Sequence, residues 1–459
     1  MRIQVKNLGV LRQAEFTLGN LTIICGGNNT GKTYATYALF GFLSFWREAF
    51  SIRVKEDINQ LFAEGVIHID LPKYVGLAES TLSECCQEYA EQLPIVFAAS
   101  TERFQETEFQ IYIDSKDIRL ADKYEQILSS ANTEHFSITK SEGSTELVVT
   151  LLVKKEKIRI PEDIIKRFIG DAIKDTIFGH LFPNPFIASA ERTGAAIFRK
   201  ELNFTRNRLL EEMSQSDKNI NLRNLLSKSY PDYALPVKRN VSFMRDLEML
   251  DKKSSFIAEK HPEVLADFVD IIGGKYVITR NDELYYTPKG KQVKLSMDES
   301  SSAVRSLLDI GFYLRHIAQP GDLLMVDEPE LNLHPENQCR IARLFARLVN
   351  LGIRVFITTH SDYIIKELNT LIMLNHDKPH LKLIAERNGY KAEELIASDK
   401  IKVYIAEKAS VNLDDGKRKK CYQMTPANID PELGIEARSF DETINEMNRI
   451  QEEIVWGGE

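Results

Sequence analysis

A chain of 459 residues that is 43% apolar and 27% charged carries enough hydrophobic material for a large core and a second lobe. Its net charge of −8 excludes a generally basic nucleic-acid binder. Five cysteines (Cys25, Cys85, Cys86, Cys339, Cys421) without C-x-x-C spacing exclude a zinc ribbon and a disulfide framework, and the longest apolar run, Tyr34 to Trp46, is too short to span a membrane.

In chain order, Arg2 is followed at once by a strand pattern, so no cleavable leader is expected. Leu21-Thr22-Ile23-Ile24-Cys25 then runs straight into Gly26-Gly27-Asn28-Asn29-Thr30-Gly31-Lys32-Thr33, which has the form G-x-x-x-x-G-K-T. Gly26 and Gly31 let the backbone curl so that consecutive N–H groups face a phosphate. A helix starting near Lys32 would offer its positive end to the same anion. Lys32 would reach the β- and γ-phosphates of ATP, and the Thr33 hydroxyl would ligate Mg2+. The plain alternative is a Gly/Asn turn with a chance Gly-Lys-Thr; the β-branched strand before it and the apolar helix after it argue against that. Cys25 reads as a small buried apolar residue.

The middle of the chain carries helix-like stretches (Val54 to Phe62, Glu79 to Gln92, Pro161 to Phe178) and strand-like ones (Phe109 to Ile113, Leu147 to Val153). No heptad pattern persists there, so no long coiled-coil arm is expected. Phe186 to Gly194 is a strand-like run ending in Glu191 and Arg192, which either sense nucleotide or form an ordinary surface ion pair. Arg192, Arg199, Lys200, Arg206 and Arg208 read chiefly as a solvated helix face interleaved with Glu201, Glu211 and Glu212, with phosphate-backbone contact as the alternative.

Ser300-Ser301-Ser302-Ala303-Val304-Arg305-Ser306-Leu307 opens an apolar-periodic stretch and reads as a helix N-terminus. Leu323-Leu324-Met325-Val326 is an apolar strand that runs into Asp327-Glu328-Pro329-Glu330. Asp327 would hold Mg2+, and Glu328 would orient or deprotonate the attacking water. Ile353 to Ser361 is a third β-rich run, and it brings His360 to a strand's C-terminal end, where open α/β sheets contact ligands. Lys402 to Ala406 reads as a strand, Asp414-Asp415-Gly416 as a hairpin turn with Lys417 to Lys420 returning, and Ser439 to Ile454 as an amphipathic helix capped by Ser439 with Glu442 three residues on. No D-x-D follows Glu407, so a built-in nuclease is not expected.

Phosphate loop, serine-opened helix, acidic strand and strand-end histidine is the order found in ABC-type ATPases. The chain resembles their SMC/RecF/OLD branch over about 1–45, 186–200 and 265–375, on Gly26 to Thr33, Ser300 to Leu307, the D-E-P-E-L-N-L-H-P wording of Asp327 to Pro335, and Ile357 to Ser361. Met1 to Gly9 looks like the first strand of that fold. Thr359 to Asn369 is similar to the stand-alone ATPase subunits of bacterial antiphage defence systems, of the PARIS and Septu types, without a Toprim domain.

The resemblance implies an α/β, ABC-type ATPase head with a P-loop core sheet and an inserted α+β lobe. Residues 1–45 and 270–400 would form the head, 46–269 a mainly helical lobe with some strands, and 401–459 a C-terminal hairpin and helix packing on the head. Two heads would sandwich two ATP molecules in a homodimer or higher homo-oligomer, with Ser301, and Ser302 next to it, reaching the γ-phosphate held by the partner. Asn332 and His334 would lie in the loop across that interface, and Ala303 stands where the family has glycine. The catalytic set is then Lys32, Ser301, Glu328 and His360; Gly26 through Thr33 and Ser302 contact nucleotide, and Thr33 and Asp327 hold Mg2+. The implied function is that of an ATP-hydrolysing sensor or scaffold subunit, in the cytoplasm and off the membrane, controlling a separate nuclease or toxin. The alternative is a RecF/SMC-like repair ATPase on duplex DNA, which keeps nucleic acid open as a partner.

Overall fold

The computed structural model describes the chain apart from residues 57, 131–132, 154–159, 200–232, 280–282, 413–417, 436–445 and 455–459. The described residues form two compact units, one of Met1–Gln4, Phe42–Gln92 and Phe109–Asn184, the other of Val5–Gly41, Leu93–Glu108 and Pro185–Glu459.

The second unit is built on a mixed sheet. Its strands are β1 (Arg2–Leu8), β2 (Leu11–Thr17), β3 (Leu21–Cys25), β4 (Pro185–Ala188), β5 (Leu323–Asp327), β6 (Arg354–Thr359), β7 (Ile401–Asn412) and β8 (Arg418–Pro426), in the spatial order β1-β2-β8-β7-β3-β6-β5-β4. All five residues of β3 and of β5 are buried. An unbroken apolar run is what a strand covered on both faces requires, and such strands pair in parallel. β3 pairs in parallel with β6 (Leu21 beside Val355, Cys25 beside Thr359) and with β7 (Leu21 beside Ile401). β5 pairs in parallel with β6 (Asp327 beside Thr358) and with β4 (Val326 beside Ala188). The C-terminal ends of β3, β4, β5 and β6 therefore share one edge, the place where open α/β sheets bind ligands.

Helix α1 (Lys32–Glu48) starts at the phosphate loop. Helix α2 (Arg192–Ile197) follows β4. Helices α3 (Ser302–Ser306) and α4 (Leu308–His316) are separated by Leu307, whose φ of −102° and ψ of 2° interrupt the run that the sequence reads as one helix. Helix α5 (Pro335–Asn350) carries proline in its first turn, where the missing N–H costs nothing, and buries Ile341, Ala342, Phe345, Leu348 and Val349. Helix α6 (Asp362–Leu374) is capped by Ser361, whose hydroxyl accepts from Ile364 N.

The first unit holds a four-stranded antiparallel sheet, ordered Val66–Asp70, Glu146–Leu151, Thr133–Lys140, Tyr124–Ser130, together with the helices Ala78–Ala90 and Glu162–Phe178. Its core is aromatic: Trp46 and Phe182 lie 4.4 Å apart between ring centroids, and Tyr89 and Phe109 4.8 Å. The buried Lys174 amine closes the end of α1 by donating to Trp46 O (2.9 Å) and Phe50 O (2.6 Å).

This partition differs from boundaries at 45, 269 and 400. Residues 185–269 cluster with the phosphate-loop unit because β4 is hydrogen-bonded to β5. The hairpin β7–β8 lies inside the sheet, with β7 against β3, rather than packing on a finished head. The expected turn 414–416 and the cap Ser439 with Glu442 lie outside the described residues; within the terminal helix, 446–454 is helical and exposed.

Candidate functional site

The phosphate loop leaves β3 through two glycines in the left-handed half of backbone space. Gly26 has φ of 140° and Gly31 of 99°. A Cβ on Gly26 would sit 2.5 Å from Ala406 O, and one on Gly31 2.5 Å from Leu11 Cγ, so both positions exclude a side chain. Asn29 also adopts positive φ (60°), which asparagine tolerates. Thr30 Oγ1 donates to Gly27 O (2.9 Å) and closes the turn. Gly27, Asn28 and Asn29 are exposed, and Thr33 presents its hydroxyl one residue into α1.

Lys32 is buried, and Nζ donates to Gly26 O (3.0 Å) and Gly27 O (2.8 Å), so the amine lies over the loop that a phosphate would enter. Burial lowers its pKa, while Glu328, Asp327 and Glu330 favour the charged form. Thr33 Oγ1 lies 3.2 Å from Asp327 Oδ2, which joins the end of the loop to the end of β5. The other carboxylate oxygen of Asp327 accepts from the Thr358 hydroxyl on β6. Burial pushes Asp327 above the ordinary carboxylate range; Thr358 pulls it back, and Glu328 and Glu191 push it further up. A hydroxyl and a desolvated carboxylate of raised proton affinity are hard oxygen donors suited to Mg2+ and its retained waters, so these residues fit that ion.

Glu328 and His360 meet at the same edge. His360 Nε2 donates to Glu328 Oε1 (3.0 Å), which selects the tautomer with hydrogen on Nε2 and turns Nδ1 toward Lys32 Nζ at 3.4 Å. That hydrogen bond holds the Glu328 carboxyl below its usual range, opposed by partial burial and helped by the charges of Lys32 and Arg192. Lys32, Glu328 and His360 thus form one connected set in a cleft of about 480 Å³, lined also by Val10, Tyr34 and Asn28 to Thr33.

Ser301 and Ser302 lie elsewhere in the unit. They are exposed at the start of α3, outside the residues lining that cleft. Ser301 Oγ accepts from Val304 N (3.3 Å) as an N-cap. Ala303 lies inside α3 and is not among the residues with positive φ, so the helix start has no conformational need for glycine at that position. Asn332 (φ 62°) and His334, the N-cap of α5, are both exposed.

Four participants are not legible as such in the sequence. Thr358 binds Asp327 from the neighbouring strand. Glu330 accepts from His360 N (2.6 Å) and Thr359 Oγ1 (2.9 Å), fixing the turn that aims the imidazole. Tyr37 on α1 donates to Glu191 (2.9 Å), and Arg192 is fully buried. A surface ion pair between Glu191 and Arg192 is therefore replaced by separate roles, because the guanidinium donates to backbone carbonyls. Arg199 is likewise buried, donating to Met244 O (2.6 Å), so neither arginine belongs to a solvated helix face; Lys200, Arg206 and Arg208 lie outside the described residues. Cys25 is buried with its thiol pushed up to about 12 by desolvation, in keeping with an apolar role.

A family model described as an AAA ATPase domain matches residues 1–211 and 194–365. No curated protein sequence matches. Among solved structures, the chain is similar to an SMC head bound to the C-winged helix domain of ScpA (11% identity, 92% of this chain and 97% of that one, TM-score 0.33). It is also similar to an SMC head with an extended coiled coil bound to the C-terminal domain of ScpA from Pyrococcus furiosus (13%, 98% and 98%, 0.33) and to an SMC head from Thermotoga maritima (9%, 93% and 98%, 0.32). Among the described residues no helix is long and apolar enough to cross a membrane.

Proposed function

The chain belongs to the AAA ATPase domain family and is an ATPase; from that premise we propose that it is the ATP-hydrolysing sensor or scaffold subunit of an antiphage defence system, whose nucleotide-dependent assembly controls a separate nuclease or toxin. The observation that carries the ATP-hydrolysing part of the reading is the connected set of Lys32, Glu328 and His360 beside Thr33 and Asp327. The loop N–H groups and Lys32 bind the triphosphate. Thr33 and Asp327 would hold Mg2+, which when bound would neutralise charge on the phosphate oxygens. Glu328, kept ionised by His360, takes a proton from the attacking water, and His360 fixes its direction.

Ser301, Ser302, Asn332 and His334 are exposed, which suits a face that a second copy covers. In that arrangement the start of α3 brings backbone N–H groups and partial positive charge to the partner's γ-phosphate. The wording of Thr359 to Asn369 favours the defence role over a DNA-repair one, and a net charge of −8 leans the same way.

The test uses the Glu328→Gln protein purified from its native host with ATP, followed by light scattering and mass spectrometry. A trapped ATP, a dimer or larger assembly and a stoichiometric nuclease or toxin-like protein are the expected result. Unchanged turnover removes Glu328 from the mechanism. Nuclease-sensitive DNA and repair factors, with no such effector, replace the defence reading by the RecF/SMC-like one.

A further inference from the structure

Arg192 is 0% exposed and spends its donors on main-chain carbonyls from three parts of the unit. Nε donates to Ser306 O (2.7 Å), Nη1 to Ser189 O (2.8 Å) and to Asp327 O (2.7 Å), and Nη2 to Glu328 O (2.9 Å). Ser189 follows β4, Asp327 and Glu328 are the exit of β5, and Ser306 is the last residue of α3. We propose that Arg192 is a positioning residue that locks the peptides of Asp327 and Glu328 to the helix opened by Ser301, so that the acidic pair and that helix change geometry together; this rests on the reading above that both act on nucleotide.

Glu328 shows why such a lock is needed. Its φ of 53° places a long side chain in left-handed space, a strained conformation that persists only where neighbours hold it. Its N–H is held by Thr358 O (3.1 Å) and its carbonyl by Arg192. Releasing the carbonyl frees the backbone to relax and swings the carboxylate away from His360. On the other side, Ser306 O lies at the break between α3 and α4, where helical continuity does not fix the angle of α3.

The guanidinium also acts on a buried carboxyl: desolvation raises Asp309 to about 7, and Arg192 opposes that rise. Asp309 on α4 is fully buried, neither carboxylate oxygen accepts a hydrogen bond, and Arg192 is the cation that acts on it. Lysine carries the charge but cannot address three segments from one planar fork, so Arg192→Lys is not a conservative change here.

The test compares wild type, Arg192→Gln and Arg192→Lys as full chains, by hydrogen exchange with and without a non-hydrolysable ATP analogue at a dilution where each is monomeric, and by steady-state turnover. In wild type the analogue should slow exchange at residues 26–36 and at 302–316. The expected result for both variants is retained protection at 26–36, nucleotide affinity within about threefold, lost protection at 302–316 and kcat lower by about 100-fold. An unaltered response at 302–316, or equal losses of affinity and kcat with the fold weakened, overturns the proposal. Should Arg192→Gln fail to fold, Arg192→Lys, which keeps the charge but not the planar fork, is read alone; lost protection at 302–316 supports the lock, and a wild-type response overturns it. Loss of dimerisation in the Glu328→Gln experiment would sink the assembly reading and leave this monomer measurement standing.

Discussion

His360 has two separable effects on Glu328: its hydrogen bond aims the carboxylate and stabilises the ionised form. Its Nε2–H bond is the largest influence holding the Glu328 carboxyl below the ordinary range, and Lys32 adds to it. A general base must be deprotonated, so a depressed pKa places the acidic limb of the rate profile at low pH. In His360→Ala the limb should move up toward ordinary glutamate values, and kcat at neutral pH should fall about 100-fold from lost orientation. A pH profile of kcat/KM checks both, and a limb that stays in place separates His360 from the base. The residue pattern shows Lys32, Asp327, Glu328 and His360 plainly, because each stands at the end of a readable strand or loop. Thr358 and Arg192 are hidden, since a threonine in a β-rich run and an arginine beside a glutamate have commonplace explanations until strand neighbours are known.

At the scale of elements, the serine-opened helix is the informative one. Ser301 caps α3 locally, and the same exposed hydroxyl is the residue carried over to the partner's γ-phosphate. The two roles separate by substitution. Ser301→Ala should cost about 1 kcal/mol of stability through the lost cap. Ser301→Arg should spare ATP binding and cut hydrolysis, because the defect lies in the partner's site. Mixing Ser301→Arg with Lys32→Ala should restore turnover that neither shows alone, because a mixed pair holds one intact composite site. Turnover that stays absent after mixing argues for a site completed within one chain. The elements of the first unit were only partly visible: Glu162–Phe178 and Glu146–Leu151 follow their periodicity, whereas Tyr124–Ser130 and Thr133–Lys140 carry too many polar residues to stand out before they pair.

For the whole molecule, the question is whether ATP is consumed to do work or only binds to hold an assembly. Lys32→Ala should lose nucleotide binding and any nucleotide-dependent oligomer in light scattering. Glu328→Gln should keep the oligomer; if it also keeps phage protection in cells, turnover serves only to reset the switch. The sequence by itself determined that a strand feeds a phosphate-loop pattern and that the strands around it are buried, because an anion cradle needs glycine, lysine and threonine in contiguous register and strands covered on both faces need unbroken apolar runs. Only the tertiary structure decided that the C-terminal hairpin completes the core sheet beside β3, that residues from 185 onward belong with the phosphate loop, and that Arg192 ties three segments together. Those outcomes depend on hydrogen bonds between strands and carbonyls hundreds of residues apart. A backbone carbonyl has no residue identity, so its partner cannot be read from any one-dimensional pattern.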